Sequence, residues 1–414
     1  MQEHSRYAVG IDVGTTTIRC VVGHIDPTTG TPTIVGVGQA ANSGMRKGTV
    51  VNLSGPAHAI DAALGDAERM SGYEVNAAAM SINGAHIVST KADGMIAVGM
   101  ANHEINGEDL ARIEEVATTG KVPANREILE VVPFSYSLDG QNGIKDPLGM
   151  SGTRLEISAN VVSAMAPLVV NLQKAAEMAT VRPTSIVASV TASAKAVLQE
   201  SQIENGVAVV DIGGATTGVA VFEEGDLQYV GVVPMGGVNI TNDLAIGLKT
   251  DPAIAEQLKI AHASLTGTSD SDAMVNVKYD KEIYTFDTRE VREIVEARLE
   301  EIFELVNKEL KKAGRAGQLA SGIVLTGGSA NIKGITEYAK TQLDLAVRVG
   351  KASGFAGVAD NIETPQFAGA IGLMLIDADL TPATSGHRKS SIDGKQLMQK
   401  TSGVVSKFLN RFKP

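Results

Sequence analysis

The sequence predicts a two-lobed α/β protein with a smaller α+β insertion in its first lobe. Residues 10–17 and 210–217 share one plan: an apolar strand ends at an Asp, a turn with Gly and paired Thr follows, and a second apolar strand begins. This repeat predicts two similar hairpins whose tips face each other between two halves of the molecule. Between residues 79 and 162 the pattern changes to short strand-like segments separated by turn signals, which predicts the insertion. A chain of 414 residues is long enough for a core in each part.

The first lobe begins with β-prone apolar segments. We expect them to form a three-stranded meander with strands at 7–13, 17–24 and 33–39. A helix is predicted over 54–70, with Ser54 as its N-cap and Pro56 in its first turn.

The sequence of the insertion predicts an α+β unit. Its strands are predicted at 79–88, 94–98, 126–138 and 153–162, and its helix at 108–118. The dipeptides Asp139-Gly140 and Asn142-Gly143 are typical of tight turns between strands.

After the insertion, the spacing of apolar residues along the sequence predicts mainly helices. These are 166–179, 191–198, 240–247, 251–262, 289–313, 335–343 and 365–376. Strands are predicted at 184–188, 227–233 and, as short pieces, within 275–286. The segment 381–401, rich in Ser, Thr, Gly and Pro, is expected to be a disordered linker.

Composition excludes several classes of protein. The net charge of −11 argues against a nucleic-acid partner, since phosphate neutralisation needs clustered basic residues. The single cysteine, Cys20, cannot form an internal disulfide, which favours a reducing cytoplasm and a core role for this residue. Nothing resembles a signal peptide, and no run of about 18 apolar residues could span a membrane.

The two repeated segments carry residue types that bind phosphate. Gly lets the backbone approach closely, and Thr adds hydroxyl donors. An Asp at each strand end can hold a hydrated divalent cation, or the water that attacks a γ-phosphate. The residues are Asp12, Gly14, Thr15, Thr16 and Thr17 in the first segment and Asp211, Gly213, Gly214, Thr216 and Thr217 in the second. A plain hairpin turn is the alternative for each segment taken alone, but the duplication favours a nucleoside triphosphate clamped between two halves.

A third turn, at Gly327, Gly328 and Ser329, follows the apolar run 323–326, and its bare backbone could lie against an adenine ring or ribose. We also assign the turn Gly236-Gly237 to the nucleotide site. The order of two phosphate loops and an adenosine loop resembles that of the actin, Hsp70 and sugar-kinase superfamily over nearly the whole chain. This resemblance implies an actin-like two-lobed ATPase fold with ATP and Mg²⁺ as ligands.

The insertion makes the resemblance more specific. Val132-Pro133, Asp139-Gly140-Gln141, the run 143–152 and Arg154-Leu155-Glu156 resemble the signature block of the FtsA family, the actin-like bacterial division proteins that tether FtsZ to the inner membrane. A Gly- and Pro-rich turn between strands explains some of these residues but not the whole block. The resemblance implies subdomain 1A at 1–78 and 163–198, 1C at 79–162, 2A at 199–242 and 318–380, and 2B at 243–317.

Two further groups of residues receive roles from the resemblance. Glu256 and Lys259, three residues apart on one helix face, would lie beside the ribose and adenine, although a solvated ion pair is the alternative. Arg292, Arg298 and Glu301 resemble the 2B surface that receives the acidic C-terminal tail of FtsZ, with an ordinary charged helix face as the alternative.

The C-terminal segment 402–414 is predicted to be an amphipathic, membrane-targeting helix. Residues 381–414 contain seven Lys or Arg against one Asp, although the whole chain is acidic. Apolar side chains would share one face and bases would flank it: Val404, Val405, Phe408, Leu409 and Phe412, with Lys407 and Arg411. The segment is too short to span a bilayer and would lie in the interface on anionic lipids; a helix docked on the protein body is the alternative.

Two departures from the superfamily concern hydrolysis. Ser189 and its neighbours occupy the region where many relatives place a Glu or Gln that orients the attacking water. Many relatives also carry Lys at the place of Thr17, where the nearest base here is Arg19, which we assign to the nucleotide site. We expect ATP binding with at most slow ATPase activity.

The residues and the resemblance together predict a peripheral protein at the cytoplasmic face of the cell membrane, at the division site. It would polymerise into filaments, bind anionic lipids, the FtsZ tail and other division proteins, and bind no nucleic acid. A PilM-like scaffold of pilus assembly and a small-molecule kinase of the same superfamily stay open as alternatives.

Overall fold

The computed structural model of the chain describes residues 6–99, 103–266, 273–357 and 362–380. Its strands are β1 Arg6–Val13, β2 Thr17–Ile25, β3 Pro32–Ala41, β4 Met45–Arg46, β5 Thr49–Val50, β6 Ala77–Ile82, β7 Val88–Ala97, β8 Arg126–Leu138, β9 Gln141–Ile144, β10 Arg154–Met165, β11 Arg182–Ala188, β12 Val207–Ile212, β13 Thr217–Glu223, β14 Asp226–Val233, β15 Met274–Tyr279, β16 Glu282–Asp287, β17 Ile323–Thr326 and β18 Val347–Val349.

Its helices are α1 Ser54–Ser71, α2 Gly107–Thr118, α3 Ala166–Met178, α4 Ser189–Val197, α5 Glu200–Asn205, α6 Gly237–Gly247, α7 Pro252–His262, α8 Thr288–Lys312, α9 Ile335–Leu343 and α10 Ala368–Leu380. Short 3-10 turns occur at Gly328–Asn331 and Pro365–Phe367. Among the helices in the described part of the chain, none is both long and apolar enough to cross a membrane.

The two lobes contain sheets of the same topology. The first sheet has the order β3-β2-β1-β6-β11 and the second the order β14-β13-β12-β17-β18. In each, the first three strands pair antiparallel and the last three pair parallel. The predicted duplication and the predicted meander of the first lobe are therefore confirmed.

The start of α1 differs from the prediction. The helix begins at Ser54 and its N-cap is Leu53, so the prediction that Ser54 caps the helix is wrong. The Ser54 hydroxyl donates instead to Asn52 Oδ1 at 2.6 Å, because the turn before the helix brings these side chains together. Pro56 lies in the first turn, as expected.

The insertion is a four-stranded antiparallel sheet of order β7-β10-β8-β9 with α2 packed on it. The Asn106 side chain and Asp109 form a capping box at the start of α2. A single strand over 79–88 was predicted, but this prediction is wrong. β6 ends at Ile82 and pairs with β1 in the first lobe, and Gly84, with φ of +123°, lies in the turn that separates β6 from β7.

The insertion also contacts the second lobe. Lys145 Nζ donates to the Asp226 carboxylate at 2.6 Å and to the carbonyl of Glu224 at 2.8 Å. The buried Asn160 amide donates to the Leu227 carbonyl at 3.2 Å. A unit that belongs to the first lobe in sequence therefore rests on the β13–β14 hairpin of the second.

Helices α4 and α10 cross at very close range. A Cβ on Gly372 would lie 1.7 Å from the Ala192 carbonyl oxygen, so only glycine fits there. A Cβ on Gly369 would lie 3.1 Å from the Asp12 carboxyl carbon. This crossing places both helices directly against the end of β1.

Candidate functional site

The tips of the β1–β2 and β12–β13 hairpins lie on the walls of one cleft of about 470 Å³. The two loops touch, since a Cβ on Gly214 would lie 2.5 Å from Thr16 Oγ1. The predicted residues that line the cleft are Asp12, Gly14, Thr15, Thr16, Thr17, Arg19, Asp211, Gly213, Gly214, Thr216, Gly237, Glu256, Lys259, Gly327, Gly328 and Ser329.

Two predicted residues lie behind the wall of the cleft. Thr217 is fully buried, and its hydroxyl donates to the Met235 carbonyl at 2.9 Å, so it cannot reach a ligand. Gly236 precedes α6, and a Cβ there would lie 2.5 Å from the Gly213 carbonyl oxygen. Its role is to let the α6 turn pack against the second loop.

Two carboxylates lie at the base of the cleft, and serine hydroxyls hold both. Asp12 accepts from Ser81 Oγ at 2.7 Å and from Ser189 Oγ at 3.3 Å. Asp211 accepts from Ser193 Oγ at 2.6 Å. The pKa of Asp211 is raised to about 6. Burial is the largest cause and the nearby Asp12 carboxylate acts in the same direction, while the hydrogen bond from Ser193 and the charge of Arg19 lower it.

Arg19 supplies the positive charge beside these carboxylates. Arg19 lies opposite Asp12 in the register of the β1–β2 strand pair. The charges of Asp12 and Asp211 both attract its guanidinium. Burial lowers the pKa of Arg19 more than these carboxylates raise it. Its buried Nε has no hydrogen-bond partner among the described residues, although the side chain forms part of the cleft wall.

Glycines shape the wall of the cleft, because side chains at several positions would collide with its loops. Gly327 has φ of +83°, and a Cβ there would lie 2.5 Å from Asp211 Oδ1. A Cβ on Gly14 would lie 2.5 Å from the Thr17 carbonyl. By contrast, the space beside Gly328 is open within 4 Å, which leaves room for a flat ring against bare backbone.

Glu256 and Lys259 form part of a polar network on another wall. Lys259 Nζ donates to Glu256 Oε2 at 2.7 Å and to the Gly237 carbonyl at 3.1 Å. The Thr241 hydroxyl contacts the same Glu256 oxygen. The ion pair is therefore present, and it lies in the cleft rather than on an outer face.

The donor set fits a hydrated Mg²⁺ ion and a polyphosphate. Within the described ranges there is no group of three or more His, Cys, Asp or Glu residues that could enclose a metal. Mg²⁺ typically keeps several waters and uses one or two carboxylates together with phosphate oxygens, and Asp12 and Asp211 match that need. The hydroxyls of Thr15, Thr16 and Thr216 and the guanidinium of Arg19 suit phosphate.

The sequence interpretation missed several residues of the site. Asn83, Asn331 and Gln366 also line the cleft, and Asn331 Nδ2 donates to Gln366 Oε1 at 2.7 Å. Asn331 stands in the loop assigned to adenosine, so its position was a usable signal. Ser81 and Ser193 carry no such signal, because serines within apolar runs are usual in packed cores.

The charged residues predicted to bind a partner lie on α8, away from the cleft. Arg298 pairs with Asp243 and with Glu301, each at 2.5 Å, and Arg292 pairs with Glu296 at 3.8 Å. Their charges are thus compensated within the protein. The linker at 381–401 and the helix predicted at 402–414 lie outside the described residues.

Solved structures with the same fold are actin-like proteins. A chain of the PilM-PilN type IV pilus biogenesis complex matches with a TM-score of 0.64 and 15% identity, covering 90% of this chain and 98% of that one. MreB5 of Spiroplasma citri bound to ADP matches with a TM-score of 0.53 and 13% identity, over 90% and 95%. The MamK double helical filament matches with 0.52 and 14%, over 91% and 100%. At these identities the likeness shows the fold alone, and it confirms the predicted actin-like class.

Sequence relatives give a narrower assignment. Family models described as cell division protein FtsA and as the SHS2 domain inserted in FtsA match residues 208–372 and 84–163. The cell division protein FtsA of Bacillus subtilis is 36% identical over 369 residues, 88% of this chain and 82% of that protein. FtsA of Pseudomonas aeruginosa is 33% identical over 377 residues, 90% and 89%, and FtsA of Escherichia coli K12 is 31% identical over 379 residues, 89% and 90%. The chain belongs to the FtsA family of cell division proteins.

Proposed function

We propose that this chain is an ATP-binding actin-like protein that polymerises on the cytoplasmic face of the cell membrane at the division site and tethers FtsZ filaments there. The observation that carries the proposal is the cleft in which two duplicated loops bring Asp12, Asp211 and Arg19 together. Family membership supports the role in division.

Each group in the cleft has a task in this proposal. Thr15, Thr16 and Thr216 hydroxyls and Arg19 hold the phosphates, while Asp12 and Asp211 bind the waters of Mg²⁺. The Gly327–Ser329 turn supports the adenine. Glu256 and Lys259 orient the ribose. When bound, ATP with Mg²⁺ would supply the negative phosphates and the cation that the residues of the two loops would hold.

The region of Ser189, where many relatives place the residue that orients the attacking water, gives hydrolysis little support. Ser189 donates to Asp12 and brings neither a carboxylate nor a carboxamide to orient a water. We therefore propose that ATP acts mainly as a structural clamp that closes the two halves of the molecule, subdomains 1A and 1C and subdomains 2A and 2B, on each other. Filament formation would then depend on bound nucleotide more than on its turnover.

Two surfaces complete the proposed function. The segment 402–414 would anchor the protein on anionic lipids, an inference that rests on its sequence pattern. The face of α8 with Arg292, Arg298 and Glu301 would receive the FtsZ tail. Since Arg298 is already paired with Asp243 and Glu301, an acidic peptide must compete with these carboxylates, and its binding should be weak and sensitive to salt.

The nucleotide site is tested by replacing one of its carboxylates. Asp211→Ala should weaken binding of ATP with Mg²⁺ by about 10-fold or more, in line with the loss of a hydrogen-bonded charge, and should impair polymerisation. Asp61→Ala, on the exposed face of α1, is the control and should bind like the parent chain. Isothermal titration calorimetry gives the affinity and negative-stain microscopy the filaments. Unchanged affinity with unchanged filaments would reject the site.

A further inference from the structure

Helix α4 runs past both carboxylates of the cleft. Ser189 and Ser193 are four residues apart and therefore lie on one face of this helix. The Ser189 hydroxyl donates to Asp12 of the first loop and the Ser193 hydroxyl to Asp211 of the second. One rigid element thus contacts the acidic group of each phosphate loop.

The two carboxylates differ in how they are held. Asp12 has a second partner, Ser81, whose oxygen also accepts from the Val13 N–H at 2.8 Å. Among the described residues, the Asp211 carboxylate accepts one side-chain hydrogen bond, from Ser193 at 2.6 Å. The orientation of Asp211 therefore depends on Ser193 more than that of Asp12 depends on Ser189.

Packing fixes the Ser193 hydroxyl in place. Ser193 is 0% exposed. On one side, the Ala192 carbonyl faces Gly372 of α10 at a distance that excludes any side chain. On the other side, a Cβ on Gly218 of β13 would lie 2.7 Å from Val190 Cβ. Since α4 cannot shift between these two neighbours, the donor that Ser193 offers is held rigidly.

We propose that Ser193 is a positioning residue of the nucleotide site, which holds the Asp211 carboxylate in the orientation that receives the hydrated Mg²⁺ of the nucleotide. This rests on the proposed binding of ATP with Mg²⁺ in the cleft. Groups that hydrogen-bond a metal-binding carboxylate typically change metal affinity by about 10- to 100-fold when removed. Ser193 should act on the metal-dependent part of nucleotide affinity and leave the metal-independent part unchanged.

The test compares nucleotide affinity with and without the metal. A fluorescent ATP analogue is titrated into the full chain in Mg²⁺ and in EDTA, and the ratio of the two affinities is the readout. Ser193→Ala should reduce this ratio by about 10-fold while the affinity in EDTA changes less than about twofold. Ser193→Cys, with a weaker donor of similar size, should fall between. Ser185→Ala is the control and should keep the parent ratio, because it removes a buried hydroxyl that has no partner within the described part of the chain.

A double-mutant cycle shows whether Ser193 acts through Asp211. In the Asp211→Asn background, Ser193→Ala should add less than about a twofold change, because the carboxylate that it positions is gone. Additive effects, or an equal loss in Mg²⁺ and in EDTA, would overturn the proposal and leave Ser193 a packing residue. If the parent chain binds the analogue only as tightly in Mg²⁺ as in EDTA, the proposal on Ser193 fails while nucleotide binding stands. If it binds in neither, the nucleotide site itself fails.

Discussion

At the residue scale, partly buried charges in the cleft mark where this chain departs from an ordinary packed core. In the cleft, Asp12 and Asp211 share the single guanidinium of Arg19, and the pKa of Asp211 is raised to about 6 by its burial. The two carboxylates would attract a divalent cation, and the guanidinium would attract an anionic ligand. The proposed binding of Mg²⁺ and a nucleotide would offset the stability that such an arrangement costs.

Outside the cleft, Glu130 in β8 of the insertion has a buried carboxyl and is 5% exposed. Burial raises its pKa to about 7, from a usual value near 4.5. The folded state therefore binds its proton more tightly than the unfolded chain. The contribution to stability is present below about pH 4.5 and is lost as the pH rises to about 7.

Glu130→Gln should consequently stabilise the fold at alkaline pH. We expect the free energy of unfolding to rise by on the order of 2 kcal/mol at pH 8.5 and by much less at pH 5, as urea denaturation would measure. The exposed Glu115→Gln is the control and should show no such pH dependence. Equal stabilisation at both pH values would contradict the assignment.

At the element scale, the crossing of α4 and α10 sets the geometry of the cleft. Gly372→Ala should destabilise the protein by about 1–3 kcal/mol, because its new methyl meets the Ala192 carbonyl and forces the helices apart. Gly65→Ala is the matched control within α1, where the added Cβ finds its nearest neighbour at 3.4 Å. That change should be neutral or stabilising by up to about 1 kcal/mol. Thermal unfolding compares them, and similar midpoints for both variants would refute the close crossing.

The contact between the insertion and the second lobe gives a further prediction. Lys145→Ala removes three hydrogen bonds, to Asp226, Glu224 and Phe134, and should raise amide exchange in the β13–β14 hairpin. Nucleotide affinity should stay within about twofold, because Lys145 is remote from the cleft lining. Lys121→Ala, an exposed lysine of the insertion, is the control. Mass spectrometry measures the amide exchange. If Lys145→Ala left exchange in the hairpin as slow as Lys121→Ala does, the contact would be contradicted.

Elements with a long, consistent period could be predicted from the sequence. The strand at 126–138 and the helix at 335–343 have the expected bounds, because their apolar pattern and flanking turn residues agree. The strand predicted over 79–88 is two strands in different sheets, since local pattern does not say which sheet a short apolar run joins. In the cleft, Asp, Gly and Thr at strand ends were recognisable from the repeat. Ser81 and Ser193 were not, because their contacts arise only when α4 packs over the strand ends.

At the scale of the whole molecule, two like sheets face one cleft and an insertion of the first lobe rests on the second. The net charge of the chain is −11, but the segment 381–414 is basic. In the proposed membrane attachment, anionic lipids would repel the acidic body and attract this short basic, partly apolar segment. A single such segment should bind weakly, and filaments that align many copies should bind firmly.

The most direct test of this account is cosedimentation of the full chain with anionic lipid vesicles, with and without ATP and Mg²⁺. The full chain should sediment with vesicles, more completely with ATP, whereas a chain that lacks residues 402–414 should stay in the supernatant yet bind ATP with unchanged affinity. Phe408→Glu should act nearly like the truncation, and Lys407→Ala should matter less and mainly at high salt. A truncated chain that still sediments with vesicles, or a full chain that ignores both vesicles and ATP, would contradict the account.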